Sequence, residues 1–468
     1  MCRYGIASLL GVALCARVMA RQADSRQGEP PAQDFQSAVT HYNSGQYPEA
    51  VRELELLVQH YPASFEVHEL LALTYSAERE DHLANLNFEE AVRLKPGSAV
   101  ARANLGINLA RLGQKDRAEA EFKKAIQIEP NSYETNHDLG EFYANGGKVS
   151  AAIPYLKKAQ MIAPSSVNGY DLALAYEQTN DLSLAWQQIH ELLAQQDTAE
   201  LHNLLGEVEE RAHNFVPAAK EFQRAAEMEP SEANIFDWGS ELLIHRTLEP
   251  AAEVFSRGLG RYPDSPRLAV GLGLALFQRG SYDEAVKAFL RATDLTPADS
   301  RAYYFLSRAY DSSPNQAEAV IEHFRRFAEL QPDNARALFY YAMAIWKGKE
   351  TQISDADLEQ IGGLLARALG HDPSLTEAHL QLGNLYSRER KYAEAVPEYE
   401  RAIKIDPNLA DAHYRLGQAY THLGDKDRAQ REFQIHQQLY QRNLAEDDKR
   451  QEEILQFVYS VKGTPATP

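Results

Sequence analysis

The sequence of 468 residues contains only two cysteines, Cys2 and Cys15. Two thiols cannot build a disulfide framework, a four-cysteine zinc site or a cysteine-bound iron–sulfur cluster. The chain also has fewer positive than negative side chains. It contains 48 Lys and Arg and 67 Asp and Glu, which gives a formal net charge of −19. A nucleic-acid groove and an anionic membrane surface both require a dominant basic face, so we expect neither as the main partner.

Catalytic and cofactor motifs are missing from the sequence as well. It has no HExxH, no GxSxG and no GxGxxG after a strand pattern. The segment Gly140–Lys148 is rich in glycine like a phosphate loop, but the spacing is wrong and Val149 stands where Ser or Thr is required. We therefore expect a non-enzyme with no catalytic residue, no cofactor and no metal.

The long uncharged apolar run of the sequence lies at the N-terminus. Ile6–Ala16 has the length of a signal-peptide core, and small residues precede a cleavage point after about Ala20. The run is about half of the roughly 20 residues that cross a bilayer, so we expect no integral membrane span. The sequence predicts a periplasmic or secreted protein with a polar linker at 21–30. A lipidated Cys15 is the alternative anchor, although Leu14 stands where a small residue is expected.

Prolines divide the remaining chain at nearly constant intervals of 33 to 35 residues. One interval of 66 residues corresponds to two units whose shared proline is missing near Asp197, and one interval is 41 residues long. A fixed period of this size predicts a repeat architecture. The predicted repeats are twelve units at about 31–62, 65–96, 99–130, 133–164, 166–197, 199–230, 233–263, 266–297, 300–332, 335–373, 376–407 and 410–440.

Each unit has a small residue at its eighth position, a second small residue about twelve positions later, and a bulky residue four positions after that. Two antiparallel helices of about 14 residues approach closely only where their facing side chains are small, and bulky neighbours fill the space alongside. Glycines such as Gly113 and Gly280 follow the eighth position by seven residues, where the chain must turn. The closing proline then separates one unit from the next. The small eighth positions are Ala38, Ala72, Gly106, Gly140, Ala173, Gly206, Ser240, Gly273, Ser307, Ala342, Gly383 and Gly417.

With this register, the units 99–130, 133–164, 266–297 and 376–407 resemble tetratricopeptide repeats. The resemblance implies an all-α fold, a right-handed α–α superhelix that binds proteins or peptides. The unit that begins at Ala335 is seven residues too long, with the excess near Lys347–Ser354, and Ser354 with Asp357 resembles a capped helix start. After residue 440 we expect a capping helix at Leu444–Val461 and then a disordered tail.

In the family, positions 2, 5, 6, 9, 12 and 13 of the first helix line a concave groove. Here the groove positions of the early units are small or polar, whereas those between Ala233 and Lys347 carry aromatic and basic residues. Aromatic groups beside guanidinium groups are typical of protein-binding hot spots, and they favour an anionic or carboxylate-bearing segment. The alternative is that the aromatics only fill gaps between repeats. The candidate groove residues are Trp238, Arg267, Phe277, Arg301, Tyr304, Phe305, Arg308, Arg336, Phe339, Tyr340, Trp346 and Lys347.

The sequence therefore predicts an exported, non-catalytic scaffold that binds peptide segments or partner proteins of the cell envelope, with self-association left open. One alternative is a cytoplasmic adaptor, in which Ile6–Ala16 is an ordinary helix. Another is a repeat arm related to O-linked glycosyltransferases without the catalytic domain, although Asn104 alone has the asparagine of those arms at the sixth position. Four histidines share the fourth position of their units, so we expect them to pack rather than to bind metal: His68, His202, His379 and His413.

Overall fold

A computed structural model describes residue 30 and residues 32–313 and 315–443 of the chain. Within these ranges the secondary structure is α-helical, with no strand. The predicted signal segment and the predicted capping helix lie outside the described residues. The helices are α1 Ala32–Asn43, α2 Tyr47–His60, α3 Phe65–Ala77, α4 Asp81–Leu94, α5 Ala99–Arg111, α6 Lys115–Ile128, α7 Tyr133–Asn145, α8 Val149–Ile162, α9 Ser166–Gln178, α10 Leu182–Leu193, α11 Ala199–Arg211, α12 Phe215–Met228, α13 Glu232–Ile244, α14 Leu248–Arg261, α15 Pro266–Arg279, α16 Tyr282–Leu295, α17 Ser300–Ser312, α18 Ala317–Leu330, α19 Ala335–Gly348, α20 Asp355–His371, α21 Thr376–Arg388, α22 Tyr392–Ile405, α23 Ala410–His422 and α24 Lys426–Asn443.

The helices pack as consecutive antiparallel pairs within two compact units, whose described residues lie in 30–221 and 222–443. In the first unit each odd-numbered helix from α1 to α9 packs on the even-numbered helix that follows it, and each pair then packs on the next. The second unit repeats this arrangement from α13–α14 to α23–α24, and its helices α17 and α18 meet through the stacked rings of Tyr303 and Phe327, with centroids 4.0 Å apart. The all-α, stacked-hairpin fold expected from the repeats is confirmed. No helix in the described part of the chain has both the length and the apolar composition of a membrane span.

Close approach within a pair depends on the small residue at the eighth position. A β-carbon added at Gly273 would lie 2.5 Å from the Phe289 ring, and one at Gly383 would lie 2.6 Å from the Tyr399 ring. Both rings are fully buried. The ring of the second helix therefore lies directly against the backbone of the first in these two units, and a side chain at Gly273 or Gly383 would force the ring or the helix to move.

The turn between the two helices requires a left-handed residue. Gly113 and Gly280 have φ angles of +74° and +86°, as their positions predict. In other units the same turn is made by residues with a β-carbon, such as Arg79 at +66° and Asn180 at +64°. Each of these left-handed residues lowers the folding stability by roughly 1 kcal/mol relative to glycine at the same position. The packing of the helix pair maintains the left-handed conformation.

Position 4 of several units carries a polar side chain that joins three parts of the repeat. In His379, Nε2 lies 3.1 Å from the carbonyl oxygen of Pro373 and Nδ1 lies 2.7 Å from Oε2 of Glu398. His413 makes the same two contacts with Pro407 and Glu432, at 3.2 and 2.6 Å. The side chain thus links the preceding boundary proline, its own first helix and the second helix of the pair.

The boundary that lacks its proline, near Asp197, keeps this contact by other means. In His202, Nε2 lies 2.7 Å from Oδ1 of Asp197 and Nδ1 lies 2.5 Å from Oε2 of Glu221. The Asp197 carboxylate therefore replaces the proline carbonyl. Arg102 occupies the same position in another unit and makes equivalent contacts. It donates one hydrogen bond to the carbonyl oxygen of Pro96 at 2.9 Å and another to Glu121 at 2.6 Å. The position-4 histidines consequently have a structural role in the repeats.

We expect Glu398→Ala to lower the free energy of unfolding of the second unit by about 2 kcal/mol, because a buried hydrogen-bonding group of His379 is left without its acceptor. Glu398 is 7% exposed and also accepts from Arg401. Denaturant unfolding followed by circular dichroism measures the change. The matched control is Glu394→Ala, an exposed glutamate on the same helix. Equal stability of the two variants would contradict this role.

The long unit accommodates its extra residues in three places. The first helix α19 has 14 residues, the connecting loop covers residues 349–354, and the second helix α20 has 17 residues. The predicted capping is confirmed, since the Ser354 side chain accepts from the Asp357 backbone N–H at 3.2 Å and Asp357 accepts from the Ser354 N–H at 3.0 Å. Hydrogen bonds from Lys349 and Ser354 lower the pKa of Asp357 to about 2.

Candidate functional site

The candidate site lies on the first helices of the second unit. We call the register positions 2, 5, 6, 9, 12 and 13 of α13, α15, α17, α19, α21 and α23 the A-helix face. In this unit α13 contacts α15, α15 contacts α17, α17 contacts α19, and α21 contacts α23, while the ion pair between Arg336 and Glu377 joins α19 to α21. Side chains also bridge them: Arg267 of α15 lies over the Phe236 ring of α13, 5.3 Å from its centroid. These contacts place residues of different repeats on one continuous surface.

Acidic partners already hold the three arginines at position 2. Arg267 is 2.9 Å from Oε1 of Glu232, Arg301 is 2.7 Å from Oδ2 of Asp299, and Arg336 is 3.8 Å from Oε1 of Glu377. Burial opposes ionisation of Asp299, but hydrogen bonds from Arg301 lower its pKa. An anionic ligand would have to compete with these carboxylates, so the predicted arginine ladder offers less free positive charge than its sequence indicates.

The predicted aromatic residues fall into two groups. Phe277, Phe305 and Tyr340 are only 7%, 5% and 7% exposed, so these three fill the space between repeats, which was the alternative prediction. The accessible aromatic surface belongs to half-buried residues that pack against the same core: Trp238, Tyr304, Phe339 and Trp346.

Cations without a direct ion-pair partner among the described residues lie at positions 9 and 13. Among the described residues, no carboxylate lies within ion-pair distance of Arg308 or Lys347, and both are half-buried. Desolvation raises the pKa of Asp311, and the charges of Lys347 and Arg308 partly offset this effect, so the three groups lie close together. Arg388 occupies position 13 of the next first helix and is exposed, also without such a carboxylate in the described part. Arg388 was not among the predicted groove residues, although its register position matches that of Lys347.

The equivalent positions of the first unit are acidic. From residue 32 to 221 the sequence has 28 Asp and Glu but only 15 Lys and Arg. From residue 222 to 443 it has 32 Asp and Glu and 26 Lys and Arg. Burial is the main cause that raises the pKa of Glu69, and of Asp138, to about 7. The cations at these positions are paired, Arg111 with Asp81 at 3.0 Å and Arg211 with Glu177 at 2.6 Å. The acidic residues of this face are Glu66, Glu69, Glu134, Asp138, Glu141, Asp171, Glu177, Glu200, Glu207 and Glu210.

Family models decide what these helix pairs are. Models described as tetratricopeptide repeat match residues 99–132, 133–166, 236–300, 282–335 and 411–440, and a model described as TPR repeat matches residues 390–424. The chain contains tetratricopeptide repeats. The matches lie in both compact units, and their period is that of the helix pairs. The repeat expectation from the sequence is confirmed.

Similarity to individual repeat proteins is low and partial. Superkiller protein 3 of Schizosaccharomyces pombe is 24% identical over 199 residues, which cover 41% of this chain and 14% of that protein. Human protein O-mannosyl-transferase TMTC3 is 23% identical over 181 residues, which cover 38% of this chain and 19% of that protein. The chain thus spans less than a fifth of either relative. The crystal structure of PilW, a widely conserved type IV pilus biogenesis factor, aligns with a TM-score of 0.39 at 18% identity, over 44% of this chain and 96% of PilW.

Proposed function

We propose that this tetratricopeptide repeat protein is a non-catalytic scaffold that binds acidic protein segments bearing aromatic or aliphatic side chains on the A-helix face of its second unit. The observation that carries the proposal is that Arg308 and Lys347, which have no carboxylate within ion-pair distance in the described residues, share the A-helix face with the half-buried rings of Phe339 and Trp346. A ligand carboxylate can pair with these cations without displacing an existing ion pair.

Partial burial suits these groups to binding. A half-buried aromatic ring has already lost part of its conformational freedom, so contact with a ligand removes water at a small entropic cost. A half-buried cation is screened less by salt than an exposed one, which strengthens its attraction for a carboxylate. The acidic positions of the first unit would repel the same ligand, so an acidic segment is directed to the second unit.

We also propose that the scaffold works outside the cytoplasm, as a periplasmic or secreted protein. The support is the charge-free run Ile6–Ala16 followed by small residues up to Ala20. N-terminal sequencing of the natural protein tests this proposal. A mature chain that begins near Arg21 would support it, and one that retains Met1 would exclude export by cleavage and favour the cytoplasmic adaptor.

Charge reversal tests the binding face. With a fluorescent peptide of alternating acidic and aromatic residues as the probe, we expect the double variant Arg308→Glu, Lys347→Glu to bind at least about tenfold more weakly than the native chain, a loss of about 1.4 kcal/mol. Fluorescence anisotropy measures the affinity, and circular dichroism verifies that the variant is folded. Added salt should weaken native binding.

The matched control carries the same change in net charge on second helices. Lys287 on α16 and Lys404 on α22 are exposed and have no carboxylate at ion-pair distance among the described residues. The double variant Lys287→Glu, Lys404→Glu should keep native affinity. If both double variants lose affinity equally, the effect is one of net charge and the proposed face is wrong.

A further inference from the structure

One carboxylate joins the second helices of two neighbouring repeats where α16 meets α18. Nε2 of His323 lies 3.0 Å from Oδ1 of Asp294, and Nη2 of Arg326 lies 3.2 Å from the same oxygen. The two helices are in direct contact. Asp294 therefore closes this junction by binding two side chains of the next repeat.

The next junction, between α18 and α20, belongs to the long unit and lacks one of these two partners. Counted back from the proline at the end of each unit, Leu364 takes the place of His323 and Arg367 takes the place of Arg326. A leucine side chain cannot bind a carboxylate. Direct contact between α18 and α20 is correspondingly sparse.

The carboxylate of this junction is engaged on its own helix. Glu329 takes the place of Asp294, but it accepts a hydrogen bond from Arg325, which also lies on α18. Arg367 is exposed, and no carboxylate in the described part of the chain lies within ion-pair distance of it. The guanidinium group that is paired at the α16–α18 junction is therefore available here to a carboxylate from another molecule.

An apolar groove of about 600 Å³ opens at this junction, and we call it the α18/α20 groove. Arg367 lines it together with Gln360, whose amide donates a hydrogen bond to the Tyr341 hydroxyl at 3.0 Å. A groove of this volume, with an apolar lining and few polar groups, has the composition of a ligand site. The lining also includes three residues that are at most 7% exposed: Ala328, Leu338 and Leu364.

A glycine inside α20 leaves the groove open. A β-carbon added at Gly363, which lines the groove, would meet no atom within 4 Å, whereas one at Gly362 would lie 3.1 Å from Leu385 of α21. Close packing of α20 on α21 accounts for Gly362 but not for Gly363. Glycine is unfavourable inside a helix, and the preceding repeat has Glu322 at the equivalent position. The missing side chain at Gly363 thus lowers helix stability and widens the groove.

We propose that the α18/α20 groove binds a partner protein segment that inserts one bulky apolar side chain over Leu364 and pairs a carboxylate with Arg367. The carboxylate supplies the pairing that Asp294 gives to Arg326 at the preceding junction, and the apolar side chain fills the space beside Gly363. The groove lies between second helices, so it is a separate site from the A-helix face and does not depend on the proposed function.

The groove suits a protein segment better than a small molecule. Gly363, Gln360 and Arg367 are exposed, so the groove is open along one side. A small ligand needs most of its surface buried. A protein segment held by its flanking residues needs to bury only its anchor side chain. The charge of Arg367 favours an acidic residue next to that anchor.

The test uses the full chain with Arg308→Glu and Lys347→Glu as the parent, so that the A-helix face contributes little to binding. The probe is a short fluorescent peptide in which leucine and aspartate alternate, and fluorescence anisotropy measures its affinity. We expect Gly363→Leu to weaken binding at least about tenfold, because the new side chain occupies the groove. Its denaturation midpoint should not fall, since leucine favours a helix more than glycine does. Arg367→Gln should weaken binding about threefold or more, because the peptide carboxylate loses its partner.

The matched control is Gly260→Leu. Gly260 lies on α14 and is exposed, and a β-carbon there would also meet no atom within 4 Å. The control should keep the affinity of the parent chain. Hydrogen exchange measured by mass spectrometry locates the peptide. At saturation, amides of α18 and α20 should exchange more slowly, with those of α14 unchanged.

Equal affinity of Gly363→Leu and Gly260→Leu would overturn the inference, and so would slower exchange confined to other helices. No measurable binding at millimolar peptide would overturn it as well. A concentration-dependent dimer that Gly363→Leu dissolves would assign the groove to a second copy of the chain, against the proposal. The outcome is independent of the proposed function, because the parent chain already lacks the cations Arg308 and Lys347.

Discussion

Replacing Phe289 with alanine is expected to lower the free energy of unfolding of the second unit by about 4 kcal/mol. The side chain is fully buried, lies against the backbone of Gly273, and stacks on Phe305 with ring centroids 6.0 Å apart. Its removal loses the transfer free energy of the ring and leaves a cavity that the surrounding helices cannot close, because the backbones already approach as closely as their atoms permit.

Denaturant unfolding followed by circular dichroism measures the loss, and hydrogen exchange locates it. Neighbouring repeats stabilise each other, so exchange should increase in α15–α16 and in the pairs on either side before more distant pairs are affected. The matched control is Lys287→Ala, an exposed residue on the same helix. A change below about 1 kcal/mol for Phe289→Ala would contradict the packing account.

The second large effect is pH-dependent and comes from Glu69 in the first unit. The side chain is 2% exposed, one of its carboxylate oxygens has no hydrogen-bond partner, and burial raises its pKa to about 7. The folded chain therefore binds the proton more tightly than the unfolded chain. This contribution to stability is fully present below about pH 4.5 and is lost as the pH rises through 7.

Glu69→Gln should consequently stabilise the first unit by up to about 3 kcal/mol at pH 9 and change it little at pH 5, because glutamine resembles the protonated acid. Thermal or denaturant unfolding at the two pH values measures the difference. Glu129→Gln makes the same chemical change at an exposed position and serves as the control. A variant equally stable relative to the native chain at both pH values would show that Glu69 is ionised without penalty in the fold.

Most of the fold is predictable from the sequence because each requirement of the helix pair recurs. The small residue at Gly273, the ring of Phe289 and the turn at Gly280 return at fixed intervals in other units. Turns made by other residues, such as Arg79 and Asn180, are harder to predict from the sequence. Their positive φ angles are imposed by the packing of the helix pair, whereas the residue types themselves do not favour them.

The candidate site was predictable only in part. Register places Arg267, Arg301 and Arg336 at equivalent positions, but it does not reveal that Glu232 and Asp299 neutralise two of them. These partners come from the preceding repeat or from the turn before the helix, and their approach depends on side-chain conformation. The sequence also does not distinguish buried rings from accessible ones. The same aromatic residue types occur along these helices both in the gaps between repeats and on the accessible face.

We expect a ligand to lie against the A-helix face of the second unit. Photo-crosslinking tests this placement, with a photoreactive amino acid placed at Phe339 on that face or at Leu330 on α18, which is 53% exposed. The peptide of alternating acidic and aromatic residues should crosslink from position 339, unlabelled peptide should compete for this reaction, and position 330 should give no competed product. Competed crosslinking from position 330, with none from 339, would show that the ligand binds elsewhere.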